Sequence, residues 1–298
     1  QIKLLPGDSV SKLLNSANNI VKSYSTQDTG WLYWHWHPDL YSGLLIFLGI
    51  YLLFVGPFSY LVKNEDDPPV NAMQVFSFSV GCVVMLFALT GPLHELSDKY
   101  LFSAHMAQHI ILTLVVPPLL LLGMPIWLLR PAIKSALILG TVRIITKPLM
   151  AFLIFNGVFI VWHFPLFYEG ALESHSLHIA EHLFFMATAV ILWWPVLSPL
   201  QEVPRISYPA QLLYLVILSI SQTPLFGVIT FSDSPMYSFY VDAPRIWNIT
   251  ALADQQTGGI IMKLSWIVIF LPAICIVFLR WYYREESEGR PEFQSSSL

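Results

Sequence analysis

The sequence predicts an all-α membrane protein, a polytopic bundle of about seven transmembrane helices, from two observations. First, 55% of the 298 residues are hydrophobic and only 11% are charged, whereas a soluble domain carries roughly a quarter charged residues. Second, the apolar residues come in blocks of about twenty, which is the length that a helix needs to cross a bilayer. The predicted spans are residues 41–62, 71–93, 105–129, 148–164, 175–197, 209–231 and 257–281.

Three parts follow from this pattern. Residues 1–40 form a polar arm whose last part contains Trp31, Trp34 and Trp36, an aromatic cluster typical of a membrane interface. Residues 41–281 form the membrane domain, and residues 282–298 form a polar tail. Proteins of the plasma membrane keep an excess of Lys and Arg in their cytoplasmic loops. The loop between the third and fourth blocks and the tail are the basic segments, so we expect the N-terminus outside and the C-terminus in the cytoplasm.

The composition excludes several function classes. The two cysteines, Cys82 and Cys275, lie inside apolar blocks, which disfavours a disulfide framework or a thiolate metal site. The net charge is −4 and no long basic tract occurs, so we expect no nucleic-acid partner. No glycine-rich phosphate loop and no nucleophile elbow is found, so we do not expect an enzyme.

On the predicted topology every histidine falls at the outer membrane face, which suggests one shared site. Two groups have helical spacing, so that their imidazoles share one helix face. Two histidines one turn apart can chelate a metal ion, and imidazole suits copper, zinc, iron and nickel. The first group is His105 and His109 at the start of the third block, and the second is His175, His178 and His182 at the start of the fifth. The others are His35, His37, His94 and His163.

Other side chains at the same level could support such a site. Asp254 precedes the last span and could be a carboxylate ligand or a hydrogen-bond acceptor for an imidazole, or simply a helix cap. Glu181 is a second carboxylate, and Met106 and Met262 are thioethers of the kind that bind Cu(I), although methionine in a membrane helix is more often filler.

Two further features favour structural roles. The run from Ser219 to Pro224 is the one polar patch near mid-membrane, and hydrogen bonding between helices is its simplest interpretation. Trp193 and Trp194, near the end of the fifth block, resemble interfacial anchors.

Several motifs, taken in order, resemble the CtaG-type cytochrome c oxidase assembly factors, the polytopic kind found in Bacillus-like bacteria. The similarity extends from about Trp31 to Trp281. The motifs are His105-Met-Ala-Gln-His109, Leu122-Gly-Met-Pro125, Trp162-His-Phe-Pro165, His178-Ile-Ala-Glu-His182 with Trp193-Trp194-Pro195, Ser234-Pro-Met-Tyr237 and Asp254-Gln-Gln-Thr-Gly-Gly259.

The resemblance implies a multi-pass protein of the bacterial plasma membrane that is needed to make active haem–copper oxidase. It further implies copper as the cargo, the oxidase catalytic subunit as the recipient and an extracytoplasmic copper donor. Carried over to this sequence, the matching positions are His105, His109, His163, His178, His182 and Asp254. From their position in the sequence, His175, Met106, Glu181 and Met262 are possible supporting groups around such a site.

Three other functions remain open from the sequence. A haem-binding electron-transfer protein would also use histidines from facing helices, although a relay across the membrane would want them in both leaflets. A copper or zinc transporter would need polar groups along its whole path. A scaffold that holds oxidase subunits together would need no metal at all.

Overall fold

A computed structural model describes residues 38–289, and every regular element in that range is helical, which confirms the predicted all-α class. The predicted arm and its tryptophans lie outside the described residues except for its last three positions. Of the predicted tail, only residues 282–289 are described, and they continue the last helix.

The described helices are numbered α1 to α14 in chain order. Two short 3₁₀ segments, Ser59–Leu61 and Arg130–Ile133, and one π-helical segment, Ile111–Val115, accompany them. The α-helices are α1 (Pro38–Val55), α2 (Ala72–Thr90), α3 (Pro92–Lys99), α4 (Phe102–Ile110), α5 (Val116–Gly123), α6 (Ile126–Leu129), α7 (Ala136–Ile145), α8 (Pro148–His163), α9 (Pro165–Glu173), α10 (His175–Leu197), α11 (Tyr208–Ser221), α12 (Thr223–Thr230), α13 (Ser238–Asp242) and α14 (Ala251–Gly289).

Among the described residues, six helical stretches are long and apolar enough to cross a membrane. A seventh results if α7 and α8, which meet at an angle of 76°, are taken as one bent span. The predicted number of about seven spans is therefore confirmed as six or seven. The fourth predicted span, residues 148–164, matches α8 to within one residue, but α8 has only 16 residues and α7 turns away from it. The predicted placement of the two termini relative to the membrane stays a prediction.

Two spans are interrupted where proline removes a backbone donor. The third span consists of α4, the π-helical segment and α5, with Pro117 and Pro118 in the first turn of α5. It ends at Gly123, before Met124 and Pro125, rather than at the predicted residue 129. The sixth span changes from α11 to α12 at Gln222, two residues before Pro224. Membrane helices tolerate such breaks when neighbouring side chains satisfy the freed backbone groups.

The polar patch at the second break bonds to neighbouring helices, as predicted. Gln222 Nε2 donates to Asn156 Oδ1 of α8 at 2.6 Å. Lys263 of α14 donates from Nζ to Thr223 Oγ1 at 2.8 Å and to the Ser219 carbonyl at 3.2 Å. These bonds link the second break to α8 and α14, and only the Gln222–Asn156 bond is buried.

An aromatic core fills the space between α8, α10, α11 and α14. Trp193, Trp266 and Phe270 stack on one another within it, with ring centroids 4.8–5.3 Å apart. Trp193 is 4% exposed, so its predicted role as an interfacial anchor is wrong, and its indole is a core group instead. Large apolar side chains such as Phe76 and Val268 point outward, with 64% and 68% of their surface exposed, as expected for helices that face lipid.

Candidate metal centre

Two helices bring four imidazoles together at one end of the bundle. His105 and His109 lie on α4 with ring centroids 4.2 Å apart, and His178 and His182 lie on α10 with centroids 4.4 Å apart. Across the two helices, the His109–His182 and His105–His178 centroid distances are 5.1 and 5.8 Å. All four side chains are buried, and His105 is 0% exposed. The helical spacing therefore placed each pair on one face, and the fold turns the two faces toward each other.

A buried carboxylate lies between the imidazoles. Glu181 is 1% exposed, and its Oε1 is 3.9 Å from Nε2 of both His105 and His109. One donor atom from each of these three residues lies within 4.8 Å of the other two. Ligands about 2.0 Å from a tetrahedral ion stand about 3.3 Å apart. The two Glu181–histidine distances exceed this spacing by about 0.6 Å, so an ion would have to draw the donors closer together. Sequence reasoning gave Glu181 only a supporting place, whereas the structure puts it at the centre.

The donor atoms of this cluster lack protein partners. Buried polar groups in folded proteins are almost always hydrogen-bonded, so a concentration of unpaired ones calls for an explanation. Within the part of the chain that the structure describes, the buried atoms without a hydrogen-bond partner include both ring nitrogens of His105 and His109, Nε2 of His163, His178 and His182, and Oε2 of Glu181. Unpaired nitrogen and oxygen donors converging on one point fit a transition-metal ion that prefers imidazole.

His163 lies behind the four central imidazoles. It ends α8, where Pro165 starts α9, and its Nδ1 contacts the Phe159 carbonyl at 2.7 Å. Because a carbonyl only accepts, Nδ1 carries the proton and Nε2 has a free lone pair. The ring shares Tyr168 as a neighbour with His105, at 6.4 and 5.1 Å respectively. His163 thus has the tautomer that a ligand needs, one shell of side chains away from the cluster.

The structure gives Asp254 a different contact from the predicted ligand role. Its carboxylate accepts hydrogen bonds from the backbone N–H groups of Phe102 and Ser103, at 2.7 and 3.2 Å, and from the Ser103 hydroxyl. Both oxygens thereby accept bonds from the first turn of α4, a helix about 150 residues away from Asp254 in the sequence. The carboxylate caps α4 rather than its own helix, because the orphan N–H groups of a helix start favour an acceptor with negative charge.

The remaining supporting groups fall outside the cluster. Met106 and Met262 are both 2% exposed and belong to the aromatic core, where they pack as apolar side chains. His175 is exposed at the first position of α10 and lines a cavity with His178. The structure shows no contact that makes any of the three a ligand.

A further carboxylate near the cluster is Asp98 on α3. Nothing in the sequence singled it out except its spacing of four residues from His94. Its carboxylate oxygens are 3.4 Å from His94 Nδ1 and 3.6 Å from His178 Nδ1. Asp98, His105 and His178 form a second set of donor atoms within 4.8 Å of one another. Gln108 holds α3 against α4, since it contacts His94 Nδ1 and accepts a bond from the Ser97 hydroxyl.

The start of α14 fixes the helix that carries His105 and His109. Besides the Asp254 cap, Gln255 accepts a bond from the Met236 N–H at 2.6 Å and donates to the Ile229 carbonyl at 3.1 Å. A Cβ atom on Gly258 would collide with the Phe102 ring, and one on Gly259 would collide with Thr230. The Asp-Gln-Gln-Thr-Gly-Gly motif therefore docks α14 against α4 and α12, and so helps to fix the position of the helix that carries His105 and His109.

Comparisons with known proteins give relatives of this chain and its family. An uncharacterized protein of Mycobacterium bovis is 23% identical over 262 residues, which are 79% of this chain and 37% of that protein. An uncharacterized protein of Mycobacterium leprae is 25% identical over 261 residues, 81% of this chain and 38% of that protein. The chain thus spans little more than a third of the length of these curated relatives. No solved structure matches it. The family model described as cytochrome c oxidase caa3 assembly factor (Caa3_CtaG) matches residues 49–284, and the chain belongs to this family.

Proposed function

We propose that this protein serves assembly of the haem–copper oxidase by binding a copper ion between α4 and α10 and passing it to the oxidase catalytic subunit. The observation that carries the proposal is the convergence of His105, His109 and Glu181, which are buried and lack hydrogen-bond partners for most of their donor atoms. His178 and His182 supply further imidazoles, with ring centroids 5.8 Å from that of His105 and 5.1 Å from that of His109, respectively. Copper is the cargo in this scheme and does not belong permanently to the protein.

Copper is favoured over other metals by two independent arguments. The donor set contains imidazole and carboxylate and no thiolate, and among divalent first-row metals Cu²⁺ binds such donors most tightly. The geometry alone would also accept zinc. The family consists of assembly factors for an oxidase, and the sequence resemblance implies copper as the cargo for that enzyme.

The position of the cluster suits transfer. The apolar helices and the family place the chain in the bacterial membrane as a multi-pass protein. His178 and His182 lie in the first two turns of α10, about 5 to 10 Å along the axis from its start. An ion held at this depth is within reach of a donor in the aqueous phase and of a partner beside the protein in the bilayer. The family implies a non-catalytic role. The proposal agrees with this, because it requires only that the protein bind and release copper.

Metal analysis of purified protein tests the proposal. Wild-type protein equilibrated with copper should retain about one equivalent, and the His105→Ala, His109→Ala double variant should retain less than about a tenth of that. His175→Ala is the matched control, because it removes an exposed imidazole from the same region. In cells, the double variant should yield oxidase with a reduced copper content. Equal copper retention by wild type and double variant would overturn the proposal.

The other functions make different predictions. In a haem protein a porphyrin plate lies between two axial imidazoles from facing helices. A strong Soret band in the purified protein would decide for haem. Copper uptake into liposomes would decide for a transporter. Full oxidase activity with the double variant would decide for a scaffold.

A further inference from the structure

Two sets of donor atoms share one histidine. The first is His105, His109 and Glu181, and the second is His105, His178 and Asp98. Both ring nitrogens of His105 lack a hydrogen-bond partner among the described residues, so the ring is available to either set. One neutral imidazole binds one ion at a time. The two sets therefore describe two alternative positions for a single ion.

The two positions differ in their access to the surroundings. Glu181 is 1% exposed, whereas 26% of the Asp98 side chain is exposed. A cavity of about 570 Å³ lies between α1 and α10, and His94, His178 and His182 are among its lining residues. Asp39, an exposed carboxylate in the first turn of α1, also lines it. The Asp98 position, which includes His178, is therefore the more accessible of the two.

We propose that Asp98 and His178, with His94 beside them, form a loading position from which a copper ion moves to the buried Glu181 position by exchange at His105. This inference rests on the proposed function. The carboxylates of Asp39, Asp98 and Glu181 are progressively more buried in that order. A more buried carboxylate attracts a cation more strongly, because solvent screens its charge less. Asp98 then controls how fast the ion enters, and Glu181 controls how tightly it is held.

Stopped-flow transfer of Cu²⁺ from its coloured murexide complex to purified protein in detergent tests this division. For Asp98→Asn we expect loading about ten-fold slower than wild type, with a final copper content within about two-fold of wild type. For Glu181→Gln we expect a lower final content. Glu95→Gln is the matched control, because Glu95 lies on the same helix α3 and pairs with Lys99 at 2.7 Å. Asp98→Glu should restore much of the rate, which shows that the carboxylate and not the fold was lost.

The outcomes separate the inference from the proposed function. Loading of Asp98→Asn at the wild-type rate would overturn the inference and leave the metal centre intact. A parallel fall in rate and final content would also overturn it, because Asp98 would then be an ordinary ligand of one site. Wild-type protein that takes no copper from the complex, or from free Cu²⁺ in equilibrium dialysis, would overturn the proposed function itself.

Discussion

The substitution Glu181→Gln isolates the charge at the metal centre, since it removes one negative charge and keeps the size of the side chain. Glu181 Oε1 is 3.9 Å from Nε2 of His105 and of His109, and Oε2 has no hydrogen-bond partner among the described residues. No Lys or Arg side chain of residues 38–289 is found paired with it. A carboxylate buried in this way destabilises the fold unless a cation neutralises it.

The expected effects have opposite signs with and without metal. Two unit charges about 4 Å apart attract by about 4 kcal/mol at an effective dielectric constant of about 20. Part of that attraction offsets the cost of keeping the carboxylate dry, so we expect a net loss of about 1.4–2.8 kcal/mol, or 10- to 100-fold weaker copper binding. Without metal the neutral amide removes the buried charge, and the melting temperature should rise by at least about 2 °C.

Two measurements on the same samples check this. Competition with a copper chelator gives the dissociation constant, and thermal unfolding after a chelator wash gives the melting temperature before and after copper is added. Wild type should gain more stability from copper than Glu181→Gln does, because a ligand that binds the folded state stabilises it in proportion to the logarithm of its affinity. Glu95→Gln serves as the control, since Glu95 pairs with Lys99.

One combination of results would refute the reasoning. If Glu181→Gln binds copper as tightly as wild type and melts at a lower temperature in the absence of metal, the carboxylate stabilises the fold through its neighbours and is no ligand. The imidazoles alone would then have to account for any copper that the protein retains.

Three further changes test the scaffold. Gly258→Ala should cost about 1–3 kcal/mol and weaken copper binding, because the added methyl forces α14 away from the Phe102 ring; thermal unfolding and copper titration measure both. Asp254→Asn should lower the melting temperature and change copper binding less than Glu181→Gln does, since its carboxylate caps α4. The Arg130 guanidinium, 2.8 Å from Asp67, lowers the pKa of that carboxyl below its usual 3.8. The ion pair therefore stabilises the fold above about pH 4, and this stabilisation is lost as the pH falls through the lowered pKa. Thermal unfolding between pH 3 and 7 should therefore show a steeper acid loss for wild type than for Asp67→Asn.

The sequence predicted what depends on local periodicity. The fifth span, residues 175–197, matches α10 in both bounds, because one apolar block starts after a polar loop and ends before another. The spacing of His105 and His109 fixed their common face, since a helix repeats every 3.6 residues. Breaks inside the third and sixth spans were recognisable from their prolines, but the π-helical turn was not.

What the sequence did not supply depends on contacts between distant segments. Asp98 comes near His178 because the chain turns at Tyr100 and Leu101 and brings α3 alongside α4, and no pattern in the sequence reports that turn. Asp254 lies at the same predicted level of the membrane as the histidines, and its carboxylate is a suitable metal ligand. Its actual partners, Phe102 and Ser103, are about 150 residues away, so the cap emerges only from the packing of α14 on α4.

Contacts one helical turn beyond the imidazoles of α4 fix the positions of α4 and α10 relative to each other. These contacts link residues near two of the sequence motifs. Pro117 and Pro118 have no N–H, so the Thr113 carbonyl has no donor at either the fourth or the fifth residue after it. Trp193 of α10 supplies one from its indole Nε1 at 3.2 Å. Thr113 in turn donates its hydroxyl to the His109 carbonyl at 2.6 Å.

This chain of contacts explains why a buried tryptophan and a π-helical turn accompany the histidines. A helix that loses two backbone donors could slide or bend at that point, and the imidazole pairs on α4 and α10 would then separate. The indole bond to the Thr113 carbonyl fixes the height of α10 against the third span. Stacking of Trp193 on Phe270 at 5.3 Å extends this restraint to α14, whose start caps α4. Three helices thus hold the donor atoms of the candidate metal centre in place.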